Sequence, residues 1–119
     1  MATIKSYTDL PQSKILSKIL PLASADMWYQ PKDKQGDDYM PFPHINKVYA
    51  NELPCWSLAA LLGVLPAECE CMSLEHINYG NNHKKYFMSY IGGENTEDYD
   101  NPVDACVEMI IKLNELNLL

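Results

Sequence analysis

The chain has 119 residues, 47% apolar and 21% charged, the length and balance of one globular domain rather than a disordered segment. Sixteen acids stand against nine bases, for a net charge of −7, and no basic cluster exceeds Lys84-Lys85, so binding to nucleic acid phosphates or to an anionic membrane surface is excluded as a lead function. The first residues lack the apolar core of a signal peptide and no run of about 18 apolar residues occurs, so the expected compartment is the cytoplasm, where Cys55, Cys69, Cys71 and Cys106 stay reduced.

Asp9-Leu10-Pro11-Gln12 reads as a helix start, with Asp9 as cap, Gln12 reaching back, and Pro11 tolerated in the first turn. Leu10, Ile15, Leu16, Ile19 and Leu20 follow at helical spacing, and Pro21 stops the helix at Leu20. Ala25 to Tyr29 predicts a short strand. Gln30 to Asn46 holds three prolines and no period, which predicts a long loop of the kind that often carries function. Lys47 to Ala50 predicts a further short strand. Pro54-Cys55-Trp56-Ser57-Leu58-Ala59-Ala60-Leu61-Leu62 reads as a buried helix with Pro54 at its first position and Gly63 closing it. Cys69 to Tyr79 and Lys84 to Ile91 predict two strands joined through Gly80-Asn81-Asn82-His83. After Gly92-Gly93 and an acidic loop, Asn101-Pro102 opens the last helix, with Asp104 completing a capping box. Its apolar residues cover most of the circumference, which predicts either a central place in the core or cover by a second subunit, and so a homodimer.

This order predicts one α+β domain over residues 1–119, with about three helices packed on one face of a small antiparallel sheet and a long loop at 30–46.

Few residues are grouped for chemistry. Cys69, Cys71, His76 and His83 are zinc-type ligands, but one residue between the cysteines is too short a spacing for the usual zinc pair, so no metal is expected. Cys55, read at a helix start, is a candidate thiolate nucleophile, with His44, His76 or His83 as its base; the alternative is a cysteine packed as a small hydrophobe. Cys106 lies on an apolar helical face and reads as core. The acids from Glu94 to Asp104 lack the glycine and spacing of a calcium loop. They are also too interrupted by apolar residues to imitate DNA. Phosphate-binding, serine-hydrolase and zinc-protease motifs do not occur, and no cofactor is expected. Eight tyrosines and two tryptophans remain, and Trp28, Tyr29, Tyr39 and Phe42 flank or occupy the long loop, where rings serve protein contact at low entropic cost.

Three segments carry a resemblance: Tyr7-Thr8-Asp9-Leu10-Pro11-Gln12-Ser13-Lys14 through Ser24-Ala25-Asp26-Met27, the run Pro54 to Leu62, and Asp100-Asn101-Pro102-Val103-Asp104-Ala105-Cys106. Together they resemble a group of small proteins of gut Bacteroides-type bacteria, often encoded in prophages or mobile elements. The group brings no activity, ligand or catalytic residue. The resemblance implies a bacterial cytoplasmic setting, possible phage relation included. The function expected from the residues is a non-enzymatic module that binds another protein through Trp28, Tyr29, Tyr39 and Phe42; the alternative is a small enzyme or ligand-binding domain using Cys55 or a histidine.

Overall fold

The computed structural model describes residues 5–33, 38–47, 51–65, 73–78, 84–89, 96, 99–117 and 119. Helix α1 (Leu10–Leu16) begins as its sequence dictates. Asp9 Oδ1 accepts the Gln12 backbone N–H at 2.9 Å, and Gln12 Oε1 accepts the Asp9 backbone N–H at 3.1 Å. Two orphan donors of the first turn are thereby satisfied reciprocally. The helix stops at Leu16 rather than at Leu20. Beyond it, Lys18 and Ile19 donate to carbonyls only three residues back, and these tighter turns carry the chain to Pro21.

Strand β1 (Met27–Tyr29) pairs antiparallel with β2 (Leu53–Cys55), with Met27 opposite Cys55, Trp28 opposite Pro54 and Tyr29 opposite Leu53. This corrects the expectation of a helix from Pro54. Trp28 spends its own backbone N–H and C=O on His44, at 2.8 and 2.7 Å, on the other edge of β1. In the β1–β2 ladder Trp28 and Pro54 are therefore a pair that exchanges no hydrogen bonds, and Pro54 is tolerated without an N–H. The second helix, α2 (Leu58–Val64), starts later, where Ser57 Oγ accepts the Ala60 N–H at 3.2 Å. Asp26 holds Ser57 in turn, accepting from its N–H at 2.9 Å and from its hydroxyl. Gly63 lies within the last turn of α2 and does not close it.

Strands β3 (Ser73–Asn78) and β4 (Lys84–Ser89) form the expected antiparallel hairpin, from Ser73 opposite Ser89 to Asn78 opposite Lys84. Tyr99 adds a reciprocal backbone pair to Tyr86. The connecting residues Gly80 to His83, residues 48–50 of the strand expected at 47–50, and both Cys69 and Cys71 lie outside the described residues. Helix α3 (Pro102–Glu115) starts as read, with Asn101 Oδ1 accepting the Asp104 N–H at 2.9 Å. The Asp104 carboxylate takes the Asn101 side-chain amide rather than its backbone N–H, so the box is not reciprocal. At the other end Asn117 adopts a left-handed φ of 57°, which asparagine tolerates.

The chain is an α+β fold of three helices with antiparallel strands, which among the described residues form two separate ribbons rather than one sheet. Helix α3 is central, touching α1, α2, β3 and β4. Val103, Ala105, Cys106, Met109, Ile110 and Leu113 are all fully buried there, joined by Leu16, Trp56 and Leu61. Most of the apolar circumference that suggested a second subunit is thus covered from within the chain, while Ile111 is half-buried and Leu116 is exposed. A smaller core of Tyr29, Leu53 and Cys55 sits between β1, β2 and the start of α1, flanked by Tyr7, Leu10, Met27 and Tyr39.

Candidate functional site

Thr8 fixes the segment before α1 against the smaller core. It is fully buried, and its N–H donates to the Trp56 carbonyl at 2.9 Å. Its hydroxyl accepts the Trp56 N–H at 3.2 Å, shares a 2.8 Å bond with Ser13 Oγ and reaches Cys55 Sγ at 3.5 Å. Its carbonyl accepts the Tyr29 hydroxyl at 2.8 Å. One residue thereby ties α1, β1 and β2 together. In so low a dielectric each of these bonds is costly to break.

Over this junction lies an open groove of about 710 Å³. Tyr7, Leu10, Pro11, Tyr29 and Pro41 supply its apolar walls, and Lys5, Ser6 and Asp9 its polar ones. The volume falls within the range of binding clefts, about 300–1,000 Å³. A second hollow, about 350 Å³, shares Asp9 and runs between α1 and α3 past Ile15, Asp104, Glu108 and Ile111.

A polar knot closes the junction between the two. Lys5 Nζ donates to Asp9 Oδ2 (2.8 Å), Gln12 Oε1 (2.8 Å) and Asp104 Oδ1 (2.7 Å), while Gln12 Nε2 donates to the same Asp104 oxygen at 2.7 Å. Burial pulls the Lys5 ammonium down, but its bonds to Asp104 and Asp9 outweigh that and leave it above the ordinary value. Burial pushes the Asp104 carboxyl up, and the bonds from Lys5, Gln12 and Asn101 more than reverse the push.

The described part of the long loop is tied back through its backbone. Lys32 N–H donates to the Asp38 carbonyl at 2.9 Å, Met40 N–H to the Gln30 carbonyl at 2.7 Å, and His44 makes its double pair with Trp28. Asp38, Met40 and His44 are therefore held against β1 and the residues that follow it, and from this backbone Phe42 (70% exposed), Ile45 (77%) and Met40 (43%) face solvent.

The four expected contact rings separate. Phe42 is fully presented. Trp28 and Tyr39 are half-buried, with Lys47 Nζ 4.7 Å from the Trp28 ring centre and Lys14 Nζ 5.9 Å from that of Tyr39. Tyr29, only 2% exposed, is a core residue, because alternation along β1 turns it inward and its hydroxyl finds Thr8. Its part in the site is to wall the groove from beneath.

Cys55 occupies a strand rather than a helix start, so no dipole activates it. It is fully buried, and burial pushes its thiol up further than the hydroxyls of Thr8, Ser13 and Tyr29 pull it down. His44 pairs on the opposite edge of β1 from β2 and is exposed. His76 lies in β3 and His83 outside the described residues. Cys106 is buried in α3, its thiol pushed up to about 12 by burial alone. Among the described residues no three His, Cys, Asp or Glu side chains gather as metal ligands, and no helix is long and apolar enough to cross a membrane.

Sequence reasoning missed Thr8, Lys5, Pro41 and Ile45. The only local trace was the capping box, which places Lys5 one turn from Asp9; the rest depends on contacts between distant segments. No protein family, curated protein or solved structure matches this chain.

Proposed function

We propose that the chain is a non-enzymatic module that binds another protein, with the groove over Tyr7, Tyr29 and Pro41 and the adjoining loop 38–47 as its contact face. The observation that carries this reading is the fixed presentation of Phe42 and Ile45. Ordering them against water has no benefit to the isolated fold, since neither belongs to either core. A loop already held by backbone bonds also loses little entropy on binding. Free thiols at Cys55 and Cys106 fit a reducing compartment, so the module is read as cytoplasmic. The competing reading, an enzyme working through Cys55, finds no support in a thiol that is sealed in the core and has its pKa raised.

The test is affinity capture from cells that express the protein, comparing the natural chain with Phe42→Ala/Ile45→Ala. Both side chains are exposed, so the double variant stays within about 0.5 kcal/mol of the parent. A partner retained by the parent and lost by the variant is expected. Full retention at unchanged stability refutes the assignment of the loop.

A further inference from the structure

We infer that Pro41 and Pro43 guard the outer edge of segment 38–45, denying it to strand addition by a second copy of this chain. Such a guard does not depend on what the contact face binds; it concerns what the same segment is kept from doing.

Segment 38–45 is the outermost member of a small β-layer. Tyr7 bridges to Ser57 just past β2, β2 pairs with β1, and β1 with the residues after it carries His44 and Tyr39 on its far side. Among the described residues no further strand pairs with segment 38–45. An outermost strand is a template on which another chain can build, most of all when it is apolar. This one exposes Met40, Phe42 and Ile45.

Its backbone shows where a guard has to stand. His44 spends both its N–H and its C=O on Trp28, and Met40 gives its N–H to the Gln30 carbonyl. In an antiparallel ladder the residues beside such inward-bonding positions turn their own backbone groups to the opposite edge. Counted from either Met40 or His44, the outward positions between them are 41 and 43, and both are proline. Neither has an N–H to give an incoming strand. The two positions that donate inward, 40 and 44, are not proline. The edge is also irregular, since the three steps from Trp28 to Pro31 face five from Tyr39 to His44, and the chain bends at Pro41 and Phe42. Extra residues of this kind spoil the regular register that a partner strand needs. The apolar side chains can then be met by contact, while the backbone beneath them cannot be extended into a larger sheet.

The experiment follows sedimentation of the full chain and of Pro41→Thr/Pro43→Thr from about 1 μM to 1 mM. Threonine restores the two donors and favours strands. The double variant is expected to self-associate at least about tenfold more tightly than the parent. Its amides at positions 41 and 43, read by hydrogen exchange, are expected to be protected in the associated form and open in dilute solution. A chain assembled chemically with N-methylalanine at both positions loses the rings but still lacks the two N–H groups, and is expected to sediment as the parent does. Should the double variant lose its fold, Pro43→Thr alone is measured, with about a threefold gain expected. A folded variant that associates no more than the parent, association with the two amides freely exchanging, or equal association of the N-methylalanine chain each overturns the inference. None of these results bears on partner capture through Phe42 and Ile45, so the two readings fail separately.

Discussion

Thr8→Val removes one hydroxyl from the junction of α1, β1 and β2 and leaves the side chain's shape unchanged. The backbone of residue 8 remains, so the bonds from its N–H to Trp56 and from Tyr29 to its carbonyl survive. What is lost is the acceptor of the Trp56 N–H and the partner of Ser13 Oγ, both in the interior. An orphaned buried donor costs about 1–3 kcal/mol. Ser13 lies inside α1 and recovers part of its loss by turning its hydroxyl back on the helix. The expected destabilisation is therefore about 2–3 kcal/mol, against a total of about 6–15 kcal/mol for a domain of this size. Ser13→Ala alone leaves Thr8 its bond from Trp56 and is expected to cost about 1 kcal/mol. In the double variant Ser13 no longer has a hydroxyl to strand, so the two costs do not add and the total stays near that of Thr8→Val. Urea unfolding followed by fluorescence of the buried Trp56 reads all three differences. A Thr8→Val chain within about 0.5 kcal/mol of the parent, or strict additivity in the cycle, refutes the view of Thr8 as the hub.

The two described thiols are expected to be inert in the folded chain. Alkylation at neutral pH, mapped by peptide mass spectrometry, should leave Cys55 and Cys106 unmodified until denaturant is added, and Cys106 should stay unreactive well into the alkaline range because its thiol is pushed up to about 12; labelling of either at the rate of an exposed thiol contradicts the buried geometry. Asp104 gives an acid dependence with a definite sign. Its folded pKa lies below the unfolded value of about 3.9, so its contribution is whole above that pH and disappears as pH falls through the folded value. The stability gap between the parent and Asp104→Asn should thus shrink below about pH 4, and a gap that is constant from neutral to pH 2 denies the Lys5–Asp104 contact. Lys5 behaves oppositely: its contribution holds below the ordinary lysine value of about 10.4 and fades as pH rises through the raised folded value, which Lys5→Met measured in alkaline buffers should reveal.

What could be read from residue order was what is written locally. Asp9 and Gln12, or Asn101 and Pro102, lie within one helical turn, and those helix starts are found where the spacing puts them. The hairpin of β3 and β4 followed from composition and a turn signal in the same way. Pro54 misled because a proline at a helix start and a proline in a ladder position that exchanges no bonds look alike in sequence; the deciding fact is the pairing of Trp28 with His44, two residues sixteen apart from each other and both remote from Pro54, and it carries no motif. Met27-Trp28-Tyr29 gave no polar alternation to tell which ring faces inward. The groove was hidden for a further reason, since its walls come from three separate stretches around residues 5–11, 29 and 41.

Helix α3 has a consequence for how this protein is made. Its side chains occupy the middle of the principal core, yet it is translated after every other described element. The nascent polypeptide upstream of Pro102 therefore leaves the ribosome with Leu16, Trp56 and Leu61 lacking the surface they are shaped to meet. Cooperative folding of the principal core must wait for α3, and until it emerges the unmatched apolar surface is open to aggregation.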